Sequence, residues 1–237
     1  MEQLTASLMS VGIGAASGLK PYFTVFALGL FGLLVPADAP SFLAVADAHI
    51  PATIANPWVL AVCAVLAVID FVLDKSWLSG APLELVNQFV RPAAGALLGM
   101  QLGMDQGPTT AALTTALGLG AALPVSLGTG ATTFATSVAL PGVPGVQAVR
   151  SLANDAGAVV LVLAAVLAPV VAAILGVVAI VAGIALFVAF RRVWAKAVSR
   201  FRAYRERQAH MRSVREDQRV AGRRVPIGDA LREAAAQ

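Results

Sequence analysis

The stretch 57–77, PWVLAVCAVLAVIDFVLDKSW, decides the fold class of this chain. Its first thirteen residues carry no charge, and an α-helix needs about 20 mostly apolar residues to cross the hydrocarbon core of a bilayer. Two aspartates, Asp70 and Asp74, stand near its end, where an unpaired carboxylate costs about 3 kcal/mol or more. The stretch therefore predicts a transmembrane helix whose acids either lock helices together or handle an ion.

Four further apolar stretches extend this pattern, and the whole chain is 58% hydrophobic with a mean hydropathy of +0.80. They cover residues 21–35, 84–104, 111–138 and 151–190. The last is long enough either for one bent helix or for two short spans that meet near Gly176. The fold class predicted is therefore an all-α polytopic transmembrane helix bundle.

Charge distribution decides between these two topologies. Residues 1–190 contain four basic and eight acidic side chains, whereas residues 191–237 contain thirteen basic and five acidic ones. Basic flanks of membrane spans lie in the cytoplasm, and Lys75, Arg150 and the tail share one side only if 151–190 crosses twice. We therefore expect six spans in a bacterial inner membrane, with both termini in the cytoplasm.

The same distribution predicts two domains, a transmembrane domain over 1–196 and a basic cytoplasmic tail over 197–237. The tail is expected to be an amphipathic helix or a partly disordered segment that contacts anionic lipid headgroups. Since the basic excess directly follows an apolar helix, it does not indicate nucleic-acid binding. Gly95, Gly99 and Gly103 recur at a spacing of four, which lets another helix approach closely and is compatible with a homo-oligomer.

Metal and nucleophile chemistry find little support in the sequence. Cys63 is the only cysteine, and His49 and His210 stand far apart, so no zinc-type spacing occurs. The paired acids lack an accompanying serine, cysteine or histidine nucleophile set. We therefore expect no metal, no cofactor and no enzymatic activity.

Charged residues inside the spans form the candidate site. Asp70 and Arg91 lie at matched depths on either side of a short turn at 78–83, which predicts that the two side chains are in contact. Lys75 and Glu84 are expected to pair nearer the interface. The complete set balances four basic against four acidic residues: Lys20, Lys75, Arg91 and Arg150 against Asp70, Asp74, Glu84 and Asp155. Either this set is a salt-bridge network that fixes helix packing, or it lines a hydrated vestibule for an ion or polar solute.

Interrupted helices give a second kind of candidate. Gly18 and Pro21 predict a break after a short first helix that ends near Ser17. The run LGTGATT at 127–133 is expected to be flexible, and residues 139–149 are expected to form a loop. Broken helices expose backbone carbonyls and amides that can bind ions, although such breaks also occur as tolerated kinks.

Four segments together resemble one family: GLKPYFTVFALGLFG at 18–32, VIDFVLDKSW at 68–77, VRPAAGALLG at 90–99 and RSLANDAGAVVLVLAAVLAP at 150–169. In this order they are similar to a bacterial integral-membrane family of unknown function, domain-of-unknown-function family four-one-two-six. The similarity covers about residues 10–175, with its most specific part in Asp74-Lys75 and Arg91-Pro92. This chain lacks the proline and later acid that often follow the D-K pair in that family. The resemblance implies a membrane protein and assigns no activity.

These observations favour a small channel or secondary transporter for an ion or small polar solute. Asp70, Asp74, Arg91 and Asp155 would then lie at the pathway or its gate. The alternative is a non-catalytic membrane scaffold or accessory subunit whose intramembrane charges only pack helices.

Overall fold

A computed structural model describes residues 2–34, 50, 52–75, 81–139 and 144–222, and no strand occurs among them. They form seven helices: α1 Glu2–Leu19, α2 Pro21–Leu34, α3 Pro57–Lys75, α4 Ala81–Met104, α5 Pro108–Ala139, α6 Pro144–Leu167 and α7 Pro169–Gly222. The all-α class is confirmed. The predicted loop at 36–56 lies largely outside the described residues. Of the predicted turn at 78–83, residues 78–80 lie outside them, and residues 81–83 already belong to α4.

Among the described residues, three helical segments are long and apolar enough to cross a membrane: Pro108–Thr136, Ala148–Leu167 and Pro169–Lys196. Two shorter apolar helices, Pro21–Leu34 and Pro57–Leu73, accompany them. The most apolar part of α7 is only 17% buried, so its valine and isoleucine side chains form a surface suited to lipid. A helical membrane bundle accounts for this exposure, while the number of six spans stays a prediction.

Prolines set most helix starts. Of the seven helices that the described residues form, five begin at a proline, because its missing N–H is not needed in the first turn and its fixed φ already suits a helix. The start of α3 is also capped, since the Trp58 amide donates to the Asn56 side-chain oxygen over 2.9 Å. Between α4 and α5 the turn at 105–107 ends in Gly107, whose φ of +100° suits a residue without a Cβ.

The first helix junction lies at Lys20. The Lys20 amide still donates to Ala16, and the Thr24 amide donates to the Lys20 carbonyl, but Pro21 has no N–H with which to continue the α1 ladder. The break predicted around Gly18 and Pro21 therefore lies between Leu19 and Pro21.

The second junction corrects an expectation. Residues 151–190 do divide into two helices, but the division falls at Ala168 rather than near Gly176. Pro169 explains the position, because it cannot donate to the carbonyl four residues earlier. Gly176 is helical, and a Cβ there would press on the Val11 carbonyl oxygen at 3.0 Å, so this glycine serves close packing.

Helix α1 is longer and more central than expected. It has 18 residues instead of ending near Ser17, and ten of them are buried. Most of the buried residues are glycine, alanine or serine, and α1 packs against α4, α5 and α6. Small side chains let the backbones approach closely. Helix α1, although rich in glycine, alanine and serine, therefore lies at the centre of the bundle.

Close approach of α4 to α5 is confirmed for all three glycines at the spacing of four. Gly95 lies against Gly118, Gly99 against Thr114 and Gly103 against Ala111. A Cβ on any of the three would overlap α5, so these glycines are used within the chain. Residue numbers rise on α4 as they fall on α5, which makes the two helices antiparallel.

Contacts also fix the direction of α1. Gly14 lies against Gly118 and Gly18 against Ala122, so α1 runs parallel to α5. Glu2 therefore lies level with the start of α5, at the end of the bundle that contains Gly107. We call this the Gly107 end.

Helix α7 also runs parallel to α5 and ends at the opposite side of the bundle. Gly183 packs on Pro124, and the Phe190 ring stands 5.9 Å from that of Phe134, edge to face. Phe190 therefore lies far from the Gly107 end, where Glu2 lies. The expectation that both termini lie in the cytoplasm stays a prediction, and these helix directions favour opposite ends of the bundle for Glu2 and Phe190.

Two segments expected to be irregular are helical. LGTGATT at 127–133 lies inside α5, and α6 begins at Pro144, within the predicted loop at 139–149. In α5, Thr129, Thr132 and Thr133 donate their hydroxyl protons to carbonyls three or four residues earlier, which lets threonine remain in a helix. A Cβ at Gly128 would overlap the Gly183 backbone.

The chain separates into two compact units, Met1–Phe190 and Arg191–Gln237. The first contains α1 to α6 and the apolar part of α7. In the second, residues 191–222 are helical.

Candidate functional site

Lys20 is the centre of the candidate site. It stands between α1 and α2, is 3% exposed, and its ammonium contacts two carboxylates on other helices. The Lys20 Nζ lies 3.0 Å from Asp70 Oδ2 on α3 and 3.3 Å from Asp155 Oδ1 on α6. We call these three residues the charged triad.

The two acids of the charged triad differ in surroundings. Asp70 Oδ1 accepts a hydrogen bond of 3.2 Å from the Asn87 side-chain amide, so both of its oxygens have donors. The Asp70 side chain is 8% exposed, whereas that of Asp155 is 23% exposed. Asp155 is therefore the less enclosed of the two carboxylates.

A second polar group lies beside the charged triad, on α4, α5 and α6. Arg91 is 1% exposed, and its Nη1 donates to the Thr129 hydroxyl over 3.0 Å. Arg150 reaches from α6 to α5, where its Nη1 donates to the Thr133 hydroxyl. Thr129 and Thr133 are one turn apart on α5, so both guanidinium groups meet the same face of that helix.

Both polar groups lie in the half of the bundle away from the Gly107 end. At 1.5 Å per residue, Arg91 stands about 20 Å along α4 from Met104, and Asp155 about 18 Å along α6 from Leu167. Asn87 and Arg150 lie about one turn farther. The interior near the Gly107 end contains mainly small and apolar residues of α1, α4 and α5.

Five predicted residues have described side chains in this region: Lys20, Asp70, Arg91, Arg150 and Asp155. Side chains of the other three, Asp74, Lys75 and Glu84, lie outside the described residues, so the pairing of Lys75 with Glu84 stays a prediction. Gly18 has a packing role, because a Cβ there would overlap Ala122 and Val125.

The predicted contact between Asp70 and Arg91 also stays a prediction. The contacts given above for Asp70 are with Lys20 and Asn87, and the one for Arg91 is with Thr129. Both charges nevertheless lie within electrostatic reach of the Tyr22 hydroxyl. Matched depth along the helices therefore places the two residues in one neighbourhood, while rotation of the helices decides which partner each meets.

Sequence reasoning missed Asn87, which lies four residues before Arg91 and therefore on the same face of α4. This spacing was a signal that could have found it. Thr129 and Thr133 fall in the run LGTGATT at 127–133, yet they contribute hydroxyl groups rather than carbonyls freed by a broken helix. Among the described residues no cluster of three or more His, Cys, Asp or Glu side chains could hold a metal ion.

Long apolar helices, with apolar side chains outside and paired charges inside, define a helical membrane protein. The model of a family described as a domain of unknown function, DUF4126, matches residues 7–189. The chain belongs to this family. No match was found among curated proteins or among solved structures.

Proposed function

We propose that this protein is a small channel or secondary transporter that passes an ion or a small polar solute across a bacterial cytoplasmic membrane. The charged triad would lie on the pathway or at its gate. The Arg150 side of the bundle and the basic tail would face the cytoplasm, where positive flanks are retained. We further propose that it has no enzymatic activity.

One observation carries this proposal, namely the sharing of one buried ammonium by two carboxylates from different helices. Buried charged triads can serve structure alone, but this one also offers a mobile charge. With two acids around one lysine, a proton or cation that arrives at one carboxylate lets Lys20 move closer to the other. Such an exchange alters helix contacts at little cost, as an ion-coupled gate requires.

The position of Lys20 supports the same proposal. Interrupted helices inside a membrane occur where the backbone is buried in protein or lines a polar cavity, and many transporters place their sites at such interruptions. Lys20 stands at the junction of α1 and α2, and a second proline junction follows α6. These junctions are the places at which the bundle could hinge.

The alternative function is a membrane scaffold or accessory subunit. The close glycine contacts of α1 and α4 with α5 favour it, because a tightly packed bundle with paired charges needs no transported solute. In this alternative the charged triad only locks α1, α3 and α6 together.

Flux into reconstituted vesicles distinguishes the two functions. We expect Asp70→Asn and Asp155→Asn to change the flux of at least one ion among simple cations, anions and protons. Helix content and monodispersity should be retained, because the amide keeps the shape of the carboxylate. Asp105→Asn, at an exposed acid in the turn before α5, is the matched control and should leave flux unchanged.

The scaffold predicts no effect on flux. Asp70→Asn would then change stability alone. Absence of flux in the wild type for all three kinds of ion would contradict the transport proposal.

A further inference from the structure

Arg150 occupies an unusual environment for a cation in an apolar bundle. Its Nη1 donates to the neutral Thr133 hydroxyl, and within the described residues no carboxylate forms an ion pair with it. Moving an uncompensated charge into a low-dielectric interior is costly, so a guanidinium in this position favours an anion beside it. Arg150 is only partly buried, so it is not fully enclosed by the bundle.

Polar atoms without hydrogen-bond partners lie on the same helices. Within the described part of the chain, Arg150 Nε, Asn154 Nδ2 and Ser126 Oγ are buried and make no hydrogen bond. Asn154 is one turn after Arg150 on α6, and the Ser126 side chain is 1% exposed. Buried polar atoms without hydrogen-bond partners are rare, and each requires an explanation such as a role in binding a ligand.

Helix geometry brings these groups to one region. Ser126, Thr129 and Thr133 are spaced by three and four residues on α5 and share a face. Arg91 and Arg150 bind the two threonines from opposite neighbours, α4 and α6. Helices α5 and α6 contact each other little and pack mainly through α1, so the Arg150 side chain bridges them. We call Arg91, Arg150, Asn154, Ser126 and Thr129 the donor cluster.

We propose that the donor cluster binds a phosphate-type oxyanion, either a free ion or the phosphate of a lipid headgroup. A guanidinium presents planar paired donors that match such oxygens, and the amide and hydroxyl groups supply further donors. Binding is independent of transport.

The contacts given above for the acids of the charged triad are with Lys20 and Asn87. Asp155 follows Asn154 directly, but consecutive residues on a helix point about 100° apart, and the Asp155 carboxylate lies 3.3 Å from Lys20. Asp70 contacts Lys20 and Asn87. Both acids therefore belong to the charged triad, and the donor cluster lies beside it.

Calorimetric titration of the purified full chain in a neutral detergent tests the proposal. Inorganic phosphate should bind saturably, whereas chloride at equal ionic strength should not compete at similar concentrations. Arg150→Gln should weaken phosphate binding about tenfold or more, the factor for losing a charge-assisted hydrogen bond. Arg191→Gln, at an exposed arginine, is the matched control and should bind as the wild type does.

A second variant and a second ligand complete the test. Ser126→Ala removes one buried hydroxyl without touching a charge, and should weaken binding several-fold in a protein that remains folded. If a soluble short-chain phosphatidylglycerol binds in an Arg150-dependent way and inorganic phosphate does not, the anion is a lipid headgroup. If neither ligand binds, or if Arg150→Gln binds both as the wild type does, the proposal is overturned.

The outcomes separate this inference from the proposed function. Phosphate binding that depends on Arg150, in a protein without any flux, supports the anion site and removes the transport proposal. Flux in a protein that binds neither phosphate nor phosphatidylglycerol supports the transport proposal and overturns the anion site.

Discussion

Replacement of Lys20 by methionine is the substitution whose effect the structure defines best. The Lys20 ammonium lies 3.0 and 3.3 Å from two carboxylates and is almost fully buried. At an effective dielectric constant of 20, each attraction is worth about 5 kcal/mol before desolvation. Desolvation offsets much of this, and removing one partner of a buried pair costs about 3–5 kcal/mol. We expect Lys20→Met to lower the free energy of unfolding by that amount.

The two acids should be less costly to change. In Asp70→Asn, Lys20 retains its contact with Asp155, and the new amide oxygen can still accept from Asn87. We therefore expect a loss of about 1–2 kcal/mol, close to that of one hydrogen bond with a charged partner. The double variant should be less destabilised than the sum of the two single ones by at least about 1 kcal/mol, because the side chains are in contact.

Equilibrium unfolding in mixed micelles measures these differences, with helix content as the signal. Lys196→Met is the matched control, since Lys196 is an exposed lysine, and it should lie within about 0.5 kcal/mol of the wild type. The reasoning is refuted if Lys20→Met is no less stable than Asp70→Asn, or if the double variant shows additive losses.

Three further predictions follow from packing, helix direction and charge. Gly118→Ala should destabilise by about 1–3 kcal/mol because its Cβ overlaps α4, whereas Gly120→Ala, which meets nothing within 4 Å, should not; equal melting temperatures would contradict the packing. In a Cys63→Ser background, cysteines placed at Glu2 and Arg191 should react with an impermeant thiol reagent from opposite sides of the membrane, and reaction from one side would contradict the helix directions. Truncation after Lys196 removes ten of the thirteen basic side chains of the tail, so binding to anionic vesicles should weaken at least tenfold by flotation; unchanged flotation would contradict an electrostatic role of the tail.

Sequence patterns predicted two features well: the apolar helices and the charges inside the bundle. They predicted the packing of the helices less well. Apolar stretches of about 20 residues correspond to helices because a bilayer imposes that length. Charges inside them must meet polar partners, so polar contacts at Lys20, Asp70 and Arg91 could be expected in advance. The close approach at the glycine series of α4 could also be predicted, since a spacing of four places all three glycines on one face of the helix.

Partners and breaks were harder to predict, for physical reasons that particular residues illustrate. Distance along a helix fixes the depth of Asp70 but not the rotation of α3, so Lys20 and Asn87 could not be identified as its contacts. The central role of α1 was missed because backbone contacts at Gly14 depend on the partner helix. The sequence places the meeting point of two spans near Gly176, although a missing Cβ serves packing as readily as flexibility. Of the two residues, Pro169 and Gly176, only Pro169 lacks the backbone N–H that continues a helix.

Accessibility of the charged triad tests the central claim most directly. Asp155→Cys in a Cys63→Ser background would be treated with a small charged thiol reagent, with Leu152→Cys, exposed on the same helix, as the control. Flux into vesicles is measured before and after treatment. A pathway through the charged triad predicts that the cysteine at 155 reacts and that its modification blocks flux, whereas modification at 152 leaves flux unchanged. A cysteine at 155 that stays unreactive, or that reacts without any effect on flux, would contradict the account.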